Sequence, residues 1–204
     1  MGKYGRYYNN HTNKQRNKNK LYHHRQKVMT ISHYGGRCTV CGETNLSFLC
    51  IDHINNEGRR VNREHKRIYR WLIKNDFPTG FQVLCWNHNW LKHLDFVKSG
   101  HTHTIPAVYN RSRRVRTKLI VTSHYGKICS CCGKDNIDVL TIDHVNGGGS
   151  YDRKELGSGD AFYRWLINNN FPLGFQVLCF NCNSGRHING GVCPHKKVIS
   201  IYTN

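Results

Sequence analysis

The sequence predicts an α+β fold made of two small ββα modules, each entered by a basic segment. Three observations predict it: an internal duplication, a cysteine spacing that repeats within it, and short β-branched runs alternating with amphipathic stretches. HYGGRCTVCGETNLSFLCIDHIN from His33 aligns without a gap on HYGKICSCCGKDNIDVLTIDHVN from His124. A second block, YRWLIKNDFPTGFQVLCWNHN from Tyr69, aligns on YRWLINNNFPLGFQVLCFNCN from Tyr163, and only the loop between blocks differs in length. A chain of 204 residues with such a repeat divides into modules. The expected division is a basic N-terminal arm over 1–28, module one over 29–96, a basic linker over 97–118, module two over 119–195 and a C-terminal tail over 196–204.

Leu49-Cys50-Ile51 and Leu140-Thr141-Ile142 read as short strands ending at Asp-His pairs, because β-branched and apolar residues dominate them. Tyr69 to Lys74 and Phe162 to Asn168 space Tyr, Trp, Leu and Ile as a short amphipathic helix does, and Phe77-Pro78 and Phe171-Pro172 stop it. Phe81 to Leu84 and Phe175 to Leu178 form the second strands, and a helix starts after each following cysteine. Between the modules, SGHTHTIPAVYNRSRRVR from Ser99 shows little periodicity and clustered arginines, so it reads as a linker.

Modules of this size have small cores and commonly need a metal, disulfides or a partner. Ten cysteines and fourteen histidines supply candidate staples. No signal-peptide run follows Met1 and no stretch reaches the roughly 18 apolar residues of a membrane span, so the expectation is an intracellular, reducing compartment: cytoplasm, organelle matrix or a phage-infected cell. There the spacing favours zinc over disulfides. Module two offers Cys129, Cys132, Cys179 and Cys182, two C-x2-C knuckles that close a tetrahedron; module one offers Cys38, Cys41, Cys85 and His88 at the same positions. Two structural zinc ions are expected, one per module. Cys50 faces Thr141 and Cys131 faces Val40, so both read as small core residues. Cys193 and His195 have no counterpart in module one and are not read as ligands.

Lysine and arginine number 31 against 12 acids, a formal net charge of +19, which makes a polyanion the default partner. The arm carries Lys3, Arg6, Lys14, Arg16, Lys18, Lys20, Arg25 and Lys27 with no acid, interleaved with tyrosines able to stack on bases. Arg111, Arg113, Arg114, Arg116 and Lys118 do the same for the linker. Lys92 and Arg186, nearly one helical turn beyond Asn89 and Asn183, are read as phosphate clamps, with a plain surface charge as the alternative. A solvated tail is the alternative for the arm.

In module two, Asp143 and His144 end a strand and Asn183 directly follows the last zinc cysteine, so the zinc would bring them together. An Asp carboxylate and an Asn carbonyl can hold a hard divalent ion, magnesium or manganese, and a histidine of ordinary pKa can take a proton from water. Module one repeats the set as Asp52, His53 and Asn89. The alternative is a brace, with Asp orienting His and no reaction.

These residues resemble the HNH endonucleases, and more closely their zinc-containing phage branch related to recombination endonuclease VII. The likeness covers most of both modules: C-x2-C, a strand ending in Asp-His, then L-C-x2-C-Asn, matched at Cys129, Cys132, Asp143, His144, Leu178, Cys179, Cys182 and Asn183, with His88 for the last cysteine in module one. The resemblance implies that Asp143 and Asn183, and Asp52 and Asn89, hold the catalytic metal, with His144 and His53 as general bases. Three departures stand out. Many HNH proteins place an asparagine about five residues before the third cysteine, where Gly80 and Gly174 stand; the endonuclease VII branch lacks it too. His88 replaces a cysteine. The loop Asn146-Gly147-Gly148-Gly149 becomes Asn55-Asn56-Glu57-Gly58, and Glu57 brings a negative charge towards the phosphate path, so module one is the weaker catalyst.

The leading expectation is therefore a nucleic-acid-binding HNH-type endonuclease, hydrolysing phosphodiesters of DNA or RNA with a His general base. The rival is a catalytically silent HNH-like protein of a ribosome or another ribonucleoprotein. A zinc transcription regulator ranks last, for want of a recognition-helix pattern. A membrane partner is not expected.

Overall fold

The computed structural model describes residues 3–56, 67–99, 105–157 and 159–199, with side chains described over 12–56, 67–99, 111–149, 151–157 and 159–196. It is a mixed α+β chain with two small two-stranded sheets, in two compact units, Met1–Leu84 and Cys85–Asn204.

The first unit opens with α1 (Lys3–His33), continues through β1 (Leu49–His53) and α2 (Ile68–Lys74), and ends within β2 (Phe81–Cys85). Every described side chain of α1 from Thr12 to Arg25 is exposed, and burial begins at Gln26, Thr30 and Ile31. Ile31, Phe48, Leu49, Leu72, Val83 and Leu84 make the core. Cys50 fits it as expected, buried with its Sγ donating to the Leu84 carbonyl at 3.3 Å. The arm is a helix rather than a formless tail: its lysines, arginines and glutamines are adequate helix formers, and its last turn is anchored. His33 stacks on Phe77 at 4.1 Å and Tyr34 donates to the Pro78 carbonyl at 2.6 Å.

The second unit comprises α3 (Trp86–Lys98), α4 (Ile105–Tyr125), a 3-10 turn (Ile137–Val139), β3 (Leu140–His144), α5 (Gly149–Glu155), α6 (Asp160–Asn168), β4 (Phe175–Cys179), α7 (Phe180–Ile188) and α8 (Pro194–Ile199). The antiparallel pairing of β3 with β4 sets Leu140 opposite Cys179, Asp143 opposite Gln176 and His144 opposite Phe175. Val121, Val139, Leu140, Leu166, Val177 and Leu178 fill the core. The linker differs from expectation from Ile105 onward, where it is helical as part of α4. Thr117, Val121 and Thr122 bury one face of α4, and Asp160 holds it to α6 by accepting from Thr117 at 2.8 Å and Arg113 at 3.1 Å. Its lead-in is clamped like the first: His124 stacks on Phe171 at 4.1 Å and Tyr125 donates to the Pro172 carbonyl at 2.7 Å.

The break between units falls one residue before the end of β2 because α3 packs against α7. Trp90 meets Phe180 with ring centroids 5.2 Å apart. Asn87 and Asn181, both buried, exchange hydrogen bonds: the Asn87 amide N–H donates to Asn181 Oδ1 at 2.9 Å, and the Asn181 amide N–H to Asn87 Oδ1 at 3.1 Å. Among the described residues no helix is long and apolar enough to cross a membrane.

Candidate metal centres and active site

Each C-x2-C turn is built the same way. The Gly42 amide donates to the Cys38 carbonyl and the Gly133 amide to the Cys129 carbonyl, both at 2.9 Å, with each glycine at φ 73°. A left-handed conformation there favours glycine. The turns are pinned to the second strands by Thr39 N–H on the Val83 carbonyl and Ser130 N–H on the Val177 carbonyl. Cys85 and Cys179 end those strands, and each is the N-cap of the next helix, which carries His88 or Cys182 one turn on.

Cys38, Cys41, Cys85 and His88 form one group able to hold a metal ion, and Cys129, Cys132, Cys179 and Cys182 another. Within each, the ligand atoms lie within 4.8 Å of one another. A tetrahedron with Zn–S bonds of about 2.3 Å has sulfur–sulfur edges of about 3.8 Å, and Cys132 Sγ stands 3.8 Å from Cys179 Sγ. The chemistry of the donors, three or four thiols with at most one imidazole, suits zinc. The thiols of module two respond to each other: hydrogen bonds from Cys179 and Cys182 hold Cys129 down, while Cys182 is pushed up by its bonds to Cys129 and Cys179.

A third group was missed by sequence reasoning. Cys131, Cys182, Cys193 and His195 also bring their ligand atoms within 4.8 Å of one another. Cys131 is half-buried beside these donors rather than a core residue, because the short helix α8 packs back against α7 and brings Cys193 and His195 with it. The signal lay in the Cys-Pro-His spacing at 193–195 and in the extra cysteine of Cys131-Cys132.

The Asp-His pair of module two is held from several sides. Gln176, opposite Asp143 in the sheet, donates to its Oδ2 at 3.2 Å, and Arg186 Nη1 reaches the same oxygen. Arg186 further donates Nη1 to the His144 carbonyl at 2.8 Å, Nη2 to the Val145 carbonyl, and Nε to the Gly191 carbonyl at 2.8 Å. Read from sequence as a phosphate clamp, its guanidinium instead ties α7 to the end of β3. His144 Nε2 lies 2.7 Å from Asp152 Oδ2, its ring rests on Phe175 at 4.8 Å, and a Cβ added to Gly149 would stand 2.8 Å from its Nδ1. Asp152 and Gln176 were not singled out in the sequence, and Gly149 was noted there only as one glycine of the loop that differs between the modules. Asn183 is half-buried on α7, one residue after Cys182, and α7 packs against β3.

In module one Gln82 donates to Asp52 Oδ2 at 2.9 Å and His53 lies against Phe81 at 4.7 Å, repeating the first half of this arrangement. Asn56 at φ 59° takes the turn that Gly147 makes at φ 79°. Asn89 and Lys92 are half-buried on α3. Glu57, and the loop that would hold a counterpart of Asp152, lie outside the described residues.

Of the basic residues expected to meet nucleic acid, Lys14, Arg16, Lys18, Lys20 and Arg25 are exposed on α1, and Arg114 and Arg116 on α4, with Arg111 half-buried. Arg113 is ion-paired to Asp160. The side chains of Lys3 and Arg6 lie outside the described residues. Lys27 and Lys118 occupy matching positions near the helix ends, and burial lowers the pKa of both. Lys118 donates to the Asp138 carbonyl at 3.0 Å, so it faces the fold rather than a phosphate. No protein family, curated protein or solved structure matches the chain.

Proposed function

We propose that the chain is a nucleic-acid-binding, HNH-type nuclease with a structural zinc in each module and its principal hydrolytic site in module two. The observation that carries this reading is the setting of His144. With Asp152 accepting from Nε2–H, the neutral ring keeps its lone pair on Nδ1, and glycine at 149 avoids the Cβ that would collide with that atom. Nδ1 can then take a proton from water as the water oxygen attacks phosphorus; the bond from phosphorus to the leaving oxygen breaks, and that oxygen takes a proton from solvent. Asp152 orients the ring.

Gln176 and Arg186 both approach Asp143 Oδ2, which leaves Oδ1, together with the Asn183 amide oxygen, as hard donors. A single carboxylate with one amide fits magnesium or manganese that keeps most of its water. Bound there, the ion would supply charge neutralisation at the phosphate. The histidine loop is braced by a backbone contact, Val145 N–H on the Gly174 carbonyl at 2.9 Å, and module one repeats it with Ile54 and Gly80. A glycine can thus serve where many HNH proteins use an asparagine. The exposed basic residues of α1 suit a phosphate backbone of DNA or RNA.

One observation favours a second reading. Arg186 stands on Asp143 where a divalent cation would otherwise supply positive charge, as it would in a silent RNA-binding member of a ribonucleoprotein. Nuclease assays with magnesium and manganese on duplex, branched and single-stranded DNA and RNA separate the two. We expect cleavage by the native chain and a loss of at least about 100-fold in rate for His144→Ala with binding retained. Tight binding with no cleavage on any of these substrates would establish the silent reading.

A further inference from the structure

We propose that module two holds two zinc ions sharing the thiolate of Cys182, so that the full chain carries three. The first ion takes Cys129, Cys132, Cys179 and Cys182; the second takes Cys131, Cys193, His195 and the same Cys182. The proposal rests on the structural zinc assignment and is independent of the nuclease reading.

Both ligand sets are present, and Cys182 belongs to each. Cys182 Sγ lies 3.3 Å from His195 Nδ1, and Cys193 Sγ 3.7 Å from the same nitrogen. A tetrahedral zinc with bonds of about 2.3 Å to sulfur and about 2.05 Å to nitrogen has a mixed edge of about 3.5 Å, so these spacings are those of ligands around one ion. Cys182 and Cys193 are almost wholly buried, at 0% and 3% exposure, in a place a water-solvated thiolate cannot occupy.

The two modules differ at the positions such a centre needs. Cys131 stands where module one has Val40, Cys182 where it has His88, and the Cys193–His195 turn has no counterpart. The substitution at the shared position carries the chemistry. A neutral imidazole offers one nitrogen lone pair and serves a single metal, whereas a thiolate sulfur has further lone pairs and can bridge two. Module one, with His88 there, is confined to one ion; module two is not.

Charge balances as well. Four thiolates around one zinc dication leave a formal charge of about −2. Cys131 and Cys193 add two negative charges, and a second dication cancels them with His195 neutral. Loading the second site displaces the protons of two thiols and leaves the net charge of the cluster unchanged. The centre also closes the turn at 193–195 onto α7.

The test is the zinc content of the full native chain, purified under reducing conditions without chelator, by elemental analysis and native mass spectrometry. Three ions per chain are expected, falling to two in Cys193→Ala. In the chain exchanged with cadmium-113, two cadmium resonances should show mutual coupling through the shared sulfur. Two ions in the native chain would overturn the shared centre while leaving one structural zinc per module, as would two ions with a mass lower by two hydrogens, the mark of a disulfide. Fewer than two would overturn both assignments. Three ions retained in Cys193→Ala would overturn this ligand set, and the native count stands even if that variant does not fold.

Discussion

Lys118 carries an ammonium in a place where most side chains are apolar. Its amine lies 5.9 Å from the Phe180 ring centre and donates to a backbone carbonyl, and burial pulls its pKa from 10.5 down to about 8, partly offset by Asp138. Below pH 8 the lysine is protonated in both the folded and unfolded chain, so the folded state bears the full desolvation cost, at most about 3 kcal/mol. Between pH 8 and 10.5 the unfolded chain binds more protons, and stability from this group rises with pH. Lys118→Met should therefore stabilise the chain at pH 7, by about 1 kcal/mol once the lost hydrogen bond is counted, with the advantage shrinking towards pH 10. Denaturant midpoints of the two proteins across that range check it; a gap independent of pH would show that the amine is not desolvated. None of this was legible in the sequence, where Lys118 is one basic residue in a basic run. The two repeated Cys/His ligand sets and the Asp-His pair were legible because the duplication repeats them. Asp152 was not, and Gly149 was visible only as a loop glycine, because both sit in the loop that differs between the modules and only the fold returns them to His144.

The basic segments show the same limit at the level of elements. Strands and short helices could be read from alternation and from the Phe-Pro stops, and they lie within one or two residues of expectation, though Asp76-Phe77 and Asn170-Phe171 reach those prolines through consecutive left-handed residues. The arm and linker lack an apolar stripe along most of their length, so periodicity could not report helices anchored only towards their C-terminal halves, α1 from Gln26 and α4 from Arg113 onward. An extended, exposed helix presents its cations at fixed spacing. Replacing Lys14, Arg16, Lys18, Lys20 and Arg25 by glutamine should weaken binding to duplex DNA and reduce the slope of log affinity against log salt by up to about 4.5, following counterion release of about 0.9 per contact. Anisotropy titrations at several salt concentrations measure it. An unchanged slope would mean that the arm is a solvated surface.

Across the whole molecule, the modules that the repeat delineates differ from the units in which the chain packs, since α3 leaves module one's stretch of sequence to join α7. No pattern in the sequence marks Asn87 and Asn181 for this, because each reads as an ordinary polar residue after a cysteine. In the structure each side-chain oxygen takes an N–H from the first turn of the other helix, one of the donors that a helix leaves without an internal partner. Asn87→Ala and Asn181→Ala should each cost about 1–3 kcal/mol. Together they should cost measurably less than the sum, with an interaction of about 0.5 kcal/mol or more by denaturant unfolding; strict additivity would show that the two bonds act separately.

That exchange of caps reaches the ligand groups able to hold metal. Cys85 precedes one of these helices and His88 rides on it, while Cys179 and Cys182 hold the same places on the other. With an ion in each of these two groups, ordering one helix start would prepare the other, so the two affinities would be linked by a single coupling free energy, equal in both directions. Titrated from the empty state, the chain would fill within a narrower range of free zinc than independent sites allow, and a chelator strong enough to strip one position would find the other already weakened.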